Sequence, residues 1–99
     1  MVRKGPIDLI TDGAEAVYCS TDGSRKRCGG IGDILSGTIG TFSQYSMRDT
    51  QLTANRLLDS CAMACYVTRR ASKIAFDERG HSLIATDIIE KLSKVICDI

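Results

Sequence analysis

The pattern of hydrophobic and polar positions divides the chain into a short β-rich part and a longer helical part. Residues 7–11 and 14–20 carry β-branched or aromatic side chains, and the pair Asp12-Gly13 lies between them. An Asp-Gly pair between two such segments is typical of a two-residue hairpin turn. The sequence therefore predicts a β-hairpin, followed by a loop over residues 21–27 that contains turn-forming residues.

A first helix is predicted from Asp33 onward, because apolar residues recur over residues 34–45 at the spacing of one helix face. Three small residues, Ser36, Gly37 and Gly40, lower the intrinsic helix propensity of this segment. We expect these small residues to allow close packing against a sheet or another helix.

Two further helices are predicted after the first. The second begins at a cap residue, Thr50 or Thr53, and ends at Gly80, since glycine is typical of helix C-termini. The third begins at Asp87 or the residue before it, and Asp87 and Glu90 suit a capping box. The residues predicted to be buried on these helices are Ala54, Leu57, Leu58, Cys61, Ala64, Cys65, Thr68, Ala71, Ile74, Ala75, Ile88, Ile89, Leu92, Val95 and Ile96.

The composition indicates one small intracellular domain. Of the 99 residues, 43% are hydrophobic and 25% are charged, which is ordinary for a soluble globular protein. Basic residues without interleaved aromatics predict no nucleic-acid partner, and no apolar run is long enough to predict a membrane span. Five cysteines without the apolar core of a signal peptide predict a cytoplasmic location, or a mitochondrial one if an upstream targeting segment exists.

The stretch from Cys28 to Asp33 carries the candidate chemistry. Glycines at 29, 30 and 32 leave the backbone open to a ligand, and the first amides of a helix have no intrahelical partner. The turn therefore predicts a site for phosphate oxygens, with a positive φ or a close backbone approach expected at Gly32. Asp33 is either a general base towards a hydroxyl that attacks the phosphate, or only the helix cap.

Two other clusters leave alternatives open. Arg25, Lys26 and Arg27 precede the glycine turn, where they either bind nucleotide phosphates or form a solvated loop. Cys61 and Cys65 are one helical turn apart, but a zinc site needs more ligands than the sequence offers near them. Packing inside the protein is the favoured interpretation of these two thiols, and no metal site is predicted.

Two motifs in register resemble those of one family. Residues 27–37 read R-C-G-G-I-G-D-I-L-S-G, which resembles the anion-hole and base motif of the eukaryotic ATP-dependent NAD(P)H-hydrate dehydratases, members of the ribokinase-like superfamily. Residues 3–13 read R-K-G-P-I-D-L-I-T-D-G, which is similar to that family's R-K-G-x-x-D-x-I-x-D-G. The resemblance covers nearly the whole chain and corresponds to only the C-terminal part of such an enzyme.

The resemblance implies an α/β fold. Residues 1–99 would be the C-terminal segment of a ribokinase-like layered α/β sandwich, here a β-hairpin followed by three helices, with most of the sheet in an absent N-terminal remainder. Since a two-stranded sheet is only marginally stable alone, we expect the chain to be a fragment. Its expected partner is the missing remainder of the domain, and a homo-oligomer is left open.

The resemblance also implies a reaction, in which ATP phosphorylates the C6 hydroxyl of (S)-NAD(P)H-hydrate and loss of phosphate restores NAD(P)H. Asp33 is implied as the catalytic base and a substrate contact, and the amides of Gly30, Ile31 and Gly32 as donors to the transferred phosphoryl group. Ile31 departs from the family pattern, in which a hydrogen-bonding side chain is frequent there. Mg²⁺ ligands and the substrate loop are expected outside this segment. The implied nucleotide-binding residues are Lys4, Gly5, Pro6, Ile7, Asp8, Gly23, Ser24, Arg25, Lys26, Arg27, Cys28, Gly29, Gly30, Ile31 and Gly32.

Two alternatives to this function follow from the same residues. A sugar or vitamin kinase of the ribokinase type shares the G-x-G-D turn, but it is not expected to carry both motifs together. A truncated product without catalytic activity is the other alternative.

Overall fold

A computed structural model of the chain describes residues 1–26, 28–47 and 54–98. For residues 45–47 and 54–56 it describes the backbone only. Some predictions therefore lie outside the described residues or side chains, namely those for Arg27, Tyr45, Thr50, Thr53 and Ala54.

Within these described residues, three strands are followed by three helices, which confirms the predicted α/β class and the order of its elements. No helix of the described part combines the length and the apolar character needed to cross a membrane. The elements are β1 (Val2–Arg3), β2 (Asp8–Thr11), β3 (Ala16–Cys19), α1 (Ile31–Met47), α2 (Ala54–Arg79) and α3 (Ala85–Cys97), and a 3-10 turn (Gly80–Ser82) joins α2 to α3.

The strands form an antiparallel sheet in the order β1-β2-β3. The predicted hairpin is confirmed, but its loop has four residues, because Thr11 pairs with Ala16. The Asp12 carboxylate accepts hydrogen bonds from the backbone amides of Ala14 and Glu15 at 2.9 and 2.8 Å, and this local bonding closes the longer loop. Strand β1 was not predicted, since two residues are too few to show an alternating pattern.

Helix α2 is the centre of the structure, because it packs against α1, α3 and both strands of the hairpin. Val67 and Ser72 are buried although they lie outside the predicted stripe, whereas Leu57 was predicted to be buried and is 42% exposed. A helix that is covered on several sides buries more than one stripe. The largest hydrophobic cluster joins the three helices through Ile34, Val67, Ala71, Ala75, Leu83, Ile88 and Val95.

Helix α3 begins earlier than predicted, and less of its surface is buried than predicted. It starts at Ala85, and the Asp87 carboxylate accepts a hydrogen bond from the backbone amide of Ile84 at 3.0 Å. Asp87 is therefore the third residue of the helix, and the predicted capping box with Glu90 is wrong. Ile89 and Ile96 were predicted to be buried but are exposed, because α3 packs through one narrow face.

Gly80 ends α2 as predicted, with a φ of +57°.

Helix α1 begins two residues before Asp33. Gly30 precedes the helix with a φ of +96°, and its carbonyl accepts a hydrogen bond from the Ile34 amide at 3.0 Å. The positive φ expected at Gly32 therefore lies at Gly30. The predicted close packing of the small residues in α1 is wrong for the described structure, since a Cβ atom at Gly37 or Gly40 would meet nothing within 4 Å and Ser36 is exposed.

Gly30→Ala should destabilise the chain, and Gly32→Ala should not. At Gly30 the positive φ strains any L side chain, and an added Cβ would lie 3.1 Å from the Cβ of Ala85, so a loss of about 1–3 kcal/mol is expected. At Gly32 an added Cβ meets nothing within 4 Å, and replacing a helical glycine by alanine gains up to ~1 kcal/mol. Urea unfolding followed by far-UV circular dichroism measures both; equal stabilities would contradict the left-handed backbone at Gly30.

Candidate functional site

A cavity of about 580 Å³ lies between the loops that follow β1 and β3, the beginning of α1 and the middle of α2. This volume is in the range of small-molecule sites in proteins. The residues that line the cavity are Lys4, Gly5, Pro6, Ser20, Thr21, Asp22, Gly23, Ser24, Lys26, Cys28, Ile31, Gly32, Thr68, Arg69 and Ser72.

Both sequence motifs contribute to this cavity. The first brings residues 4–6, and the second brings Cys28, Ile31 and Gly32, with Gly23, Ser24 and Lys26 from the loop between them. Because these segments are far apart in sequence, their convergence is a product of the tertiary structure.

Other predicted site residues lie outside the lining. Arg25, Gly29 and Asp33 are exposed, Ile7 is 53% exposed, and Gly30 packs towards α3 near Ala85. Asp8 is fully buried beside the cavity, and Arg27 lies outside the described residues. Asp33 lies in the first turn of α1, directly after Gly32, which does line the cavity.

Asp8 accepts four hydrogen bonds from three residues, Lys4, Gly5 and Arg69. Its Oδ2 accepts a hydrogen bond from Arg69 Nε at 2.7 Å and from Lys4 Nζ at 2.8 Å. Its Oδ1 accepts a hydrogen bond from Arg69 Nη2 at 2.8 Å and from the Gly5 amide at 3.3 Å. The carboxylate predicted as a nucleotide contact therefore supports the wall of the cavity from behind.

Arg69 joins three segments that line the cavity. Besides the two bonds to Asp8, its guanidinium donates hydrogen bonds to the carbonyl oxygen of Gly5 and, at 3.2 Å, to that of Thr21. Both loops are thus attached to the same turn of α2. A planar guanidinium suits this role, since its donors point in fixed directions. Sequence reasoning missed Arg69, because an arginine at the edge of a helical stripe is usually solvated.

The electrostatics of the pair favour the charged forms of both groups. Burial by itself raises the pKa of Asp8, but the hydrogen bonds from Arg69 and Lys4, together with the Gly5 amide, hold that pKa well below its usual range. The hydrogen bond to Asp8 raises the pKa of Arg69. The single negative charge of Asp8 is therefore shared between the two cations Arg69 and Lys4.

The beginning of α1 brings backbone donors to the cavity. Ile31 and Gly32 are the first two residues of this helix, and both line the cavity. The first amides of a helix have no intrahelical partner and carry the positive end of the helix dipole. Lys4 and Lys26 belong to the same lining, where the Lys4 ammonium pairs with Asp8 and the Lys26 ammonium donates a hydrogen bond to the His81 carbonyl oxygen. The beginning of α1 is therefore the part of the cavity that best suits an anion such as a phosphate.

The cysteines and the histidine do not form a metal site in the described structure. Cys65 is fully buried, and this burial together with the nearby charge of Asp8 raises the pKa of its thiol to about 11. A thiol with so high a pKa is protonated at neutral pH. Among the described residues, no three His, Cys, Asp or Glu side chains are placed to hold a metal ion.

Comparison with known proteins gives the family. The family model described as NAD(P)H-hydrate dehydratase matches residues 1–94. The chain belongs to the NAD(P)H-hydrate dehydratase family. This family is ribokinase-like, so the resemblance indicated by the two motifs is confirmed.

Curated relatives in this family are longer than the chain. The ATP-dependent (S)-NAD(P)H-hydrate dehydratase of Ciona intestinalis is 39% identical over 95 residues, which are 96% of this chain and 26% of that protein. The protein of the same name from Rattus norvegicus is 37% identical over 93% of this chain and 28% of its own length. The protein of this name from Dictyostelium discoideum is 37% identical over 94% of this chain and 33% of its own length. The chain therefore spans about a quarter to a third of the length of these dehydratases.

Asp8→Asn should destabilise this member of the dehydratase family and remove part of its acid sensitivity. At pH 7 the substitution leaves Arg69 without its carboxylate, and a loss of about 3–5 kcal/mol is expected. Because folding lowers the pKa of Asp8 from 3.8, the stabilisation is complete above about pH 4 and is lost as the pH falls through the lowered pKa. Denaturant unfolding from pH 7 to pH 2 measures both effects.

The matched control is Asp77→Asn, which removes an exposed ion pair with Lys73 at 2.9 Å. This change should alter the free energy of unfolding by no more than about 0.5 kcal/mol at any pH. If Asp8→Asn changed the free energy of unfolding as little as Asp77→Asn does, the Asp8–Arg69 pair would not stabilise the cavity wall.

Proposed function

We propose that this chain is the C-terminal, nucleotide-binding segment of an enzyme that uses ATP to dehydrate (S)-NAD(P)H-hydrate to NAD(P)H. Family membership and the names of the relatives support the reaction class. The observation that carries the proposal is the convergence of the two family motifs on one cavity, with Lys4 from the first and Gly32 from the second.

The residues of the cavity fit a nucleotide. The first amides of α1 suit phosphate oxygens, and Lys4 and Lys26 add positive charge to the lining, while Pro6 and Cys28 offer less polar surface to the rest of the molecule. When bound, ATP supplies the phosphoryl group that turns the hydroxyl of the hydrate into a leaving group. The backbone amides of Gly30, Ile31 and Gly32 are proposed to hold that group, a role that needs no side chain at Ile31.

Asp33 is proposed as the base. It lies in the first turn of α1, directly after Gly32, and its side chain is exposed towards solvent. An acidic residue in the first turn interacts favourably with the helix dipole. In this position the carboxylate can accept the proton of the hydroxyl that attacks the phosphoryl group, if the hydrate binds at the rim of the cavity.

The rest of the machinery is assigned to parts of the enzyme outside this chain. Mg²⁺ ligands and the loop that holds the hydrate are proposed to come from those parts, since the chain spans about a quarter to a third of its relatives. All five cysteines are free, which fits the reducing cytoplasm as the proposed compartment.

A hybrid enzyme tests the proposal. In this hybrid, the chain replaces the matching segment of the Ciona intestinalis relative, to which it is 39% identical over 95 residues. The hybrid should consume ATP only when hydrated NADH or NADPH is present, and it should produce NAD(P)H in equal amount. A folded hybrid that binds no nucleotide, or that consumes ATP without regard to the hydrate, would contradict the proposed function.

Asp33→Asn in the hybrid enzyme should lower turnover by about 10²–10⁴-fold, the usual contribution of general-base catalysis. The amide keeps the size of the side chain but cannot accept the proton. Because Asp33 is exposed, the free energy of unfolding should change by no more than about 1 kcal/mol. Hydrate-dependent ATP consumption and thermal unfolding of the same variant give the two values.

The control is Asp77→Asn. Asp77 is an exposed carboxylate on α2, far along the chain from the glycine turn, so its substitution should leave turnover unchanged. A purely structural role for Asp33 predicts the opposite ranking, with a measurable loss of stability and turnover within a few-fold of the unsubstituted hybrid.

A further inference from the structure

The glycine turn touches the beginning of α3 at one of its glycines. A Cβ atom added at Gly30 would lie 3.1 Å from the Cβ of Ala85, whereas one added at Gly29 or Gly32 would meet nothing within 4 Å. Carbon atoms attract each other best at about 3.5–4.0 Å. The methyl group of Ala85 therefore occupies the space that a side chain at position 30 would need, and neither of these two residues lines the cavity.

Gly30 sets the direction in which the backbone enters α1. Its φ of +96° is a left-handed conformation, and its carbonyl accepts the hydrogen bond from the Ile34 amide at 3.0 Å. The next two residues, Ile31 and Gly32, begin the helix and line the cavity. A displacement of Gly30 therefore displaces the first amides of α1 as well.

Ala85 is itself held in place by its neighbours in the chain. It is the first residue of α3, and Leu83 just before it is only 1% exposed. The Asp87 carboxylate accepts a hydrogen bond from the Ile84 amide, and the Asp87 amide donates one to the Ile84 carbonyl, both at 3.0 Å. These bonds satisfy backbone groups that a helix start leaves without partners. The methyl group of Ala85 thus projects from a well-anchored helix start.

Two further contacts join this part of the chain to the segment around the glycine turn. The Lys26 ammonium donates a hydrogen bond to the carbonyl oxygen of His81, in the 3-10 turn that precedes α3. Ile34 of α1 belongs to the same hydrophobic cluster as Leu83 and Ile88. The chain is therefore attached to the α3 side of the molecule before the glycine turn, within it and after it.

We propose that Ala85 is a positioning residue, whose methyl group supports Gly30 and so keeps the amides of Ile31 and Gly32 directed at the transferred phosphoryl group. This inference rests on the proposed function, which assigns those amides to that group. Ala85 itself touches neither nucleotide nor hydrate. Its effect belongs to phosphoryl transfer rather than to nucleotide binding, since precise placement of donors matters most in the transition state.

Ala85→Val in the hybrid enzyme tests the assignment, because it adds volume directly beside Gly30. The kcat of hydrate-dependent ATP consumption should fall at least about 10-fold, since a displacement of 1 Å can cost up to ~10²-fold. The KM for ATP, and the affinity for the non-hydrolysable analogue adenylyl imidodiphosphate measured by calorimetry, should change by less than about 3-fold. A weaker affinity with kcat unchanged would contradict the assignment.

A second variant and a control separate positioning from stability. Ala85→Gly removes the methyl group without adding bulk, and it should lower kcat by a smaller factor. Val95→Ala is the control, because Val95 is buried on α3 about 15 Å further along the helix. This control should lower the thermal midpoint, since it leaves a cavity, but it should not change kcat well below that midpoint.

A double substitution tests the contact itself. Gly30→Ala should lower the thermal midpoint less when Ala85 is already replaced by glycine, because the close approach of the two Cβ atoms is then absent. Equal losses with and without Ala85→Gly would show that the two residues do not support each other, and the assignment would be overturned.

The outcomes also separate this inference from the proposed function. If the unsubstituted hybrid folds but neither binds the ATP analogue nor consumes ATP, both are overturned. If it is active and Ala85→Val keeps its kcat, the Ala85 assignment alone is overturned. An equal fall of kcat in Ala85→Val and Val95→Ala would overturn it too, since Ala85 would then act only through stability. If the valine variant does not fold, Ala85→Gly decides by the same criteria.

Discussion

The buried ion pair between Asp8 and Arg69 is the interaction on which the described structure most depends. Asp8 is fully buried, and its carboxylate is compatible with that position only because Arg69, Lys4 and the Gly5 amide donate to it. The same guanidinium also binds the carbonyl oxygens of Gly5 and Thr21. One side chain of α2 therefore determines where both loops of the cavity lie.

This arrangement links the fold to the proposed chemistry. The sheet and α1 are joined to α2 by hydrophobic clusters of ordinary kind, which hold the elements together without selecting a ligand. The polar contacts are concentrated where α2 meets the loops, next to the beginning of α1. A phosphate group at the glycine turn would then bind next to the contacts that position both loops.

The two motifs have different physical roles in the structure. In the first, Lys4 lines the cavity, whereas Asp8 supports it from behind and has no described place in the lining. In the second, Gly30 adopts the positive φ that lets the chain enter α1, and Gly32 leaves the first turn open to a ligand. A residue can therefore belong to a binding motif because it holds the backbone in place rather than because it contacts the ligand.

The sequence by itself determined the hairpin, the three helices, the glycine turn and the family, because each depends on local spacing or on a short motif. The tertiary structure decided which helix faces are covered: Val67 is buried although it lies outside the stripe predicted for α2, whereas Ile89 and Ile96 stay exposed although they fit the stripe predicted for α3. It also decided the part played by Arg69. The hydrogen bonds of this residue depend on segments distant in the chain, and periodicity along one helix carries no information about those segments.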